Sequence, residues 1–144
     1  MSYPCAQPPD LGDLEELAEQ AFQVIPAEWR RHLEGVVIRV EDFADDETLD
    51  DLGIESPFDL LGLYSGISMA EKSIAMTPQD IDRIFLYRRP ILDYWCETGE
   101  ALDHVVRHVL IHEIGHHFGL SDDDMERIEA DAEKEAQTRA GTSG

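Results

Sequence analysis

The run His112-Glu113-Ile114-Gly115-His116-His117-Phe118-Gly119-Leu120-Ser121-Asp122 closes an apolar segment of helical period and reads H-E-x-x-H-x-x-G-x-x-D. On a helix, residues four apart are stacked neighbours about 6 Å apart at Cβ, so His112 and His116 are able to offer two imidazole nitrogens to one metal ion. Glu113 lies about 100° around the same turn, which sets its carboxylate beside the metal rather than on it. That is the position of a base acting on a water that the metal activates. A zinc site that does chemistry takes three protein ligands and keeps a fourth position open. Gly119 is able to adopt the left-handed conformation that ends a helix, which would turn the chain back and make Asp122 the candidate third ligand. A bare H-E-x-x-H arises by chance in roughly a few per cent of chains of this size; Gly and Asp at fixed offsets lower that by about two further orders of magnitude.

The other residues near the motif have plainer readings. Asp122 is also an ordinary first-turn acid at a helix start, and its rivals as third ligand are Glu126 and Glu129 on the last helix. His104 and His108 extend the four-residue spacing backwards, but each such step rotates about 40°, so His104 sits roughly 120° from His116 and cannot share its metal. Both are read as helix-face or packing histidines. His117 points about 100° from His116 and is read as a supporting or surface group. Tyr64 and Tyr87 are read as aromatic strand residues packing on the helix, the alternative being a hydroxyl that stabilises an oxyanion.

Away from the motif, 144 residues and 42% hydrophobic content suit a single folded domain over 1–144, with a Pro-rich tail at 1–10 and a flexible tail at 141–144. Leu11, Leu14, Leu17, Ala18, Ala21 and Phe22 predict an amphipathic helix to about Val24, capped by Asp10 or Asp13. A short helix is expected from Ala27 to Leu33, then strands at Val36–Val40, Leu60–Tyr64 and Ile81–Tyr87, with a turn or hairpin from Ser65 to Thr77. Glu41 to Asp59 holds nine acidic residues and no basic one, and reads as a solvated loop lacking the spacing of a calcium loop. A long helix or helix pair follows from about Pro90 to His117, broken near Gly99, and a last acidic helix runs from about Asp122 to Ala140 with Ser121 as N-cap. The fold class is α+β, a small mixed sheet against the helix that carries the motif.

The net charge of −21, from 32 acidic against 11 basic residues, disfavours nucleic acid and anionic membrane as partners and favours a basic peptide or protein. The first ten residues carry neither a cationic nor an apolar leader, no stretch is long and apolar enough to span a bilayer, and Cys5 and Cys96 form no C-x-x-C pair. The expected compartment is the cytoplasm.

The H-E-x-x-H-x-x-G-x-x-D run resembles the zincin metallopeptidases, in the form in which aspartate replaces the third histidine of metzincin-type sites. With Leu60-Leu61-Gly62-Leu63-Tyr64-Ser65-Gly66 and Ile81-Asp82-Arg83-Ile84-Phe85-Leu86-Tyr87-Arg88-Arg89-Pro90, the stretch from Leu60 to Asp122 is similar to small bacterial "minimal zincin" proteins of unassigned substrate. That resemblance implies Zn²⁺ on His112, His116 and Asp122, Glu113 as catalytic base, and a peptide or protein substrate. Met125 is too near Asp122 to form a methionine turn beneath the metal, a departure from full metzincins. Two alternatives remain. One is a catalytically weak or inactive metal-binding or protein-interaction module that keeps the motif. The other is a zinc hydrolase of RNA, similar to a bacterial rRNA-maturation endonuclease family, but that pattern has three histidines and the charge of −21 opposes RNA.

Overall fold

The computed structural model describes residues 8–66 and 82–142, with side chains through residue 139. Its elements are α1 (Leu11–Gln23), α2 (Ala27–Arg30) running on into a 3-10 turn (Arg31–Leu33), β1 (Val37–Glu41), α3 (Asp46–Leu52), a 3-10 turn (Pro57–Asp59), β2 (Gly62–Ser65), β3 (Arg83–Tyr87), α4 (Arg88–Thr98), α5 (Leu102–Phe118) and α6 (Asp122–Thr142). The architecture is α+β, as the sequence implies. The hairpin read from Ser65 to Thr77 falls, beyond Gly66, outside the described residues, as does the expected strand start at Ile81.

Helix α1 begins where the apolar period begins because Asp10 and Asp13 cap it reciprocally. Asp13 N–H donates to Asp10 Oδ1 at 2.8 Å, and Asp10 N–H to Asp13 Oδ2 at 2.9 Å. Leu14, Ala18 and Ala21 form its buried stripe. Helix α5 differs in kind: Val105, Val106, Val109, Leu110, Ile111 and Ile114 are buried around most of its circumference, so it is the central helix of the core. Gly99, at φ 72°, separates it from α4, which fulfils the expected break.

The sheet has the order β1-β3-β2, with β1 parallel and β2 antiparallel to the central β3. Alternation along β3 sends Ile84 and Leu86 into the main core with α1, α5 and α6. Tyr87 turns to a second cluster with Ala44 and Leu49, against which Phe85 and Leu63 pack.

That second face explains a correction. The stretch from Glu41 to Asp59 is not a plain solvated loop: it contains α3 and a 3-10 turn. Asp45 accepts from Thr48 N–H at 2.8 Å, Asp46 and Glu47 occupy the first turn, and Gly53 closes the helix at φ 69°. Leu49 then covers the far side of the sheet while the carboxylates face water. Among the described residues no helix is long and apolar enough to cross a membrane.

Tyr87 is nearly inaccessible, and burial first, then Glu41, Asp45 and Glu113, push its phenol up to about 12. A raised phenol stabilises the fold fully below the ordinary value near 10 and loses that contribution as pH rises from there towards about 12. Phenolate absorbance is expected to show one late ionisation that disappears in Tyr87→Phe. An unshifted titration in both proteins would contradict the packing of Tyr87 described above.

Candidate active site and metal centre

The apolar girth of α5 holds the motif rigidly at the helix's C-terminal end, and the end itself is built by glycine. Gly119 sits at φ 68°, the Leu120 N–H donates to Gly115 O at 2.9 Å, and the Gly119 N–H to His116 O at 3.3 Å. This is the left-handed C-terminal cap expected of Gly119. Ser121 then caps α6, its Oγ accepting from Asp124 N–H at 3.2 Å, so Asp122 stands in the first turn of α6 beside the end of α5. The two helices meet closely. A Cβ at Gly115 would collide with the sulfur of buried Met125, so the methionine packs directly on the motif's own glycine.

Gly119→Val is expected to damage this corner, since a β-branched residue is strained at positive φ. A lowered melting midpoint together with weakened zinc uptake is the result to look for. Unchanged values in both would show that the turn does not set the position of Asp122.

Glu113 is 8% exposed and faces β2. The close approach is possible because residue 62 is glycine: a Cβ there would lie 2.6 Å from Val109 Cγ1 and 3.2 Å from Glu113 Cγ. Tyr87 N–H donates to Leu61 O, so along β2 the backbone groups of Leu61, Leu63 and Ser65 turn to β3, and those of Gly62 and Tyr64 turn to the opposite edge, which pairs with no strand among the described residues. There the Tyr64 N–H reaches the Glu113 carboxylate. His116 Nδ1 lies 3.1 Å from Glu113 Oε1. Burial pushes the Glu113 carboxyl above its ordinary value; the His116 charge, the His116 hydrogen bond and the Tyr64 N–H oppose that shift without cancelling it.

His112 is half-buried, and burial followed by the neighbouring His108 lowers its pKa, against the pull of Glu129 and Asp122. The neutral imidazole, the form that binds metal, is thereby favoured. His116 and Asp122 are exposed. Among the described residues one set of three histidine, cysteine or carboxylate donors lies mutually within 4.8 Å, and it is His108, His112 and Glu129. His116 and Asp122 stand outside that set. His108, read as a helix-face or packing histidine, contacts Glu129 Oε1 through its Nδ1 across the α5–α6 seam. His104 likewise faces Glu133 at 3.1 Å. The available signal was a pair of four-residue spacings, histidines at 104 and 108 and glutamates at 129 and 133, on helices that had to pack antiparallel.

His117 is not at the surface. It is 1% exposed, with Nδ1 3.2 Å from the Tyr64 hydroxyl, which in turn donates to Asp82 Oδ1 at 3.1 Å. The Tyr64 ring packs edge-on against His117 at 5.4 Å between centroids. Tyr64 is thus an aromatic strand residue held against α5, its hydroxyl directed to Asp82 rather than to the motif's open side.

The profile of the zincin-like metallopeptidase family matches residues 33–132, which span the whole sheet and the motif. The chain belongs to the zincin-like metallopeptidases. A search of curated proteins found no match. This zincin-like protein also fits the zinc that its family implies, judged on its donor chemistry. It brings the imidazole nitrogens of His108 and His112 and the Glu129 carboxylate within 4.8 Å of one another, a donor set that zinc accepts, and the lowered pKa of His112 favours its neutral, metal-binding form.

Proposed function

We propose that this zincin-like protein hydrolyses peptide bonds, with Zn²⁺ held by His112, His116 and Asp122 and with Glu113 as general base. The observation that carries the reading is the environment of Glu113: a buried carboxylate of raised pKa, beside His116, hydrogen-bonded to the Tyr64 N–H of β2. Zinc, when bound, supplies Lewis-acid polarisation and acidifies water. Glu113 takes the proton of the attacking water and then delivers a proton to the leaving amine; its raised pKa suits both halves of that exchange. Nδ1 of His116 is engaged by Glu113, which leaves Nε2 as its ligand atom. His116 and Asp122, both exposed, would complete the ligand set with His112. The edge of β2 away from β3, unpaired among the described residues, aligns an extended peptide by backbone pairing, and the charge of −21 favours a basic one.

A zinc titration of wild type, His116→Ala, Asp122→Ala and Glu126→Ala tests the ligand set. Loss of groups that merely support a ligand costs roughly 10–100-fold in affinity, so loss of a ligand is expected to cost at least that for His116 and Asp122, and little for Glu126. Equal affinities in wild type and His116→Ala would refute the assignment. Equal effects of Asp122→Ala and Glu126→Ala would move the third ligand elsewhere on α6.

A further inference from the structure

Two glutamates of α6 face two histidines of α5, yet the two rungs differ. His104 and Glu133 share theirs with Arg107, which is largely buried and ion-paired to Glu133, so that rung is neutralised. Among the described residues the rung of His108 and Glu129 has no such cation. Glu129 Oε1 is shielded from solvent and lies against His108 Nδ1 without the alignment of a hydrogen bond. A buried carboxylate oxygen without an aligned donor is costly unless something cationic completes it. The His112 ring stands 4.3 Å from that of His108, centroid to centroid, and brings a third donor to the same point. All three donors lie within 4.8 Å of one another, and His108 and Glu129 also line a cavity of about 330 Å³ that gives access from solvent.

We infer that His108, His112 and Glu129 form a second divalent-cation site, one helical turn before the peptidase site, which takes Zn²⁺ or a cation of similar hardness and shares His112 with it. Two imidazoles and one carboxylate are a donor set for such metals. It uses neither Glu113 nor His116, so a metal seated there lacks the base of the peptidase site. His112 serves one site at a time, and occupation of this one withdraws a ligand from the other. Excess zinc therefore opposes the catalytic arrangement. The consequence for hydrolysis rests on the peptidase reading; the existence of the site does not.

The test is Zn²⁺ affinity, measured by competition with a chromogenic chelator, in wild type, His116→Ala, His108→Ala, His108→Ala/His116→Ala and Glu129→Gln/His116→Ala. Circular dichroism confirms that each variant is folded. His116→Ala is expected to keep about one weaker equivalent, and adding His108→Ala or Glu129→Gln to lower that residual affinity at least about tenfold. Histidine ring resonances of His108 are expected to shift with zinc in His116→Ala. If His116→Ala retains no zinc, or if its residual binding is indifferent to both added substitutions, the inference is overturned. If His116→Ala binds as tightly as wild type while His108→Ala removes binding, this site stands and the peptidase ligand set falls.

Discussion

Glu113→Gln is expected to lower peptide hydrolysis by about 10² or more while leaving zinc affinity little changed. The substitution keeps size and polarity but removes the proton acceptor. The carboxylate is not a ligand in this account; its neighbours are His116 Nδ1 and the Tyr64 N–H, and an amide oxygen still accepts from the latter. Steady-state cleavage and a zinc titration on the same preparation separate the two effects. A variant that cleaves as fast as wild type excludes Glu113 as the base, and one that also loses zinc makes it a ligand.

The same substitution has a readout in metal-free protein. Because the folded Glu113 carboxyl is raised, its contribution to stability is complete below the unfolded carboxyl value and is lost as pH rises through the folded one. Glu113→Gln is expected to lack that decline. Parallel stability curves for the two proteins across this range would mean that the burial of Glu113 does not bias its ionisation.

Gly62→Val is expected to destabilise the fold and the site together. The added side chain meets Val109 Cγ1, the Phe85 carbonyl oxygen and Glu113 Cγ, two of them on the central helix and one on the central strand. Overpacking of this kind costs roughly 1–3 kcal/mol, and a domain of this length loses roughly 2–4 °C of melting midpoint per kcal/mol. The variant is also expected to lose activity beyond its loss of fold, since β2 carries the Tyr64 N–H that holds Glu113. A melting midpoint equal to that of wild type would contradict the close approach of β2 to α5.

The features legible in the sequence are those fixed by local spacing. The helix bearing His112, Glu113 and His116, its end at Gly119 and the capped start of the next helix at Ser121 all follow from residues within a few positions of one another. So does the apolar strand Arg83–Tyr87. The features that escaped are made by distant partners. Helix α3 hid in an acidic run because nothing nearby shows that Leu49 covers the far face of a sheet. His117 sits beside His116 in sequence, but its burial depends on Tyr64 in β2 and on Asp82 just before β3. His108 gains significance only once α6 packs back along α5 and presents Glu129.

The alternative of a binding module that keeps the motif draws on that same cluster, because His108, His112 and Glu129 make no use of Glu113. Digestion of a peptide library by zinc-loaded protein, alongside chelator-treated protein, decides between the two. Cleavage is expected to require zinc and to disappear in Glu113→Gln and His116→Ala. Protein that binds a full equivalent of zinc and cuts no peptide would contradict the peptidase reading.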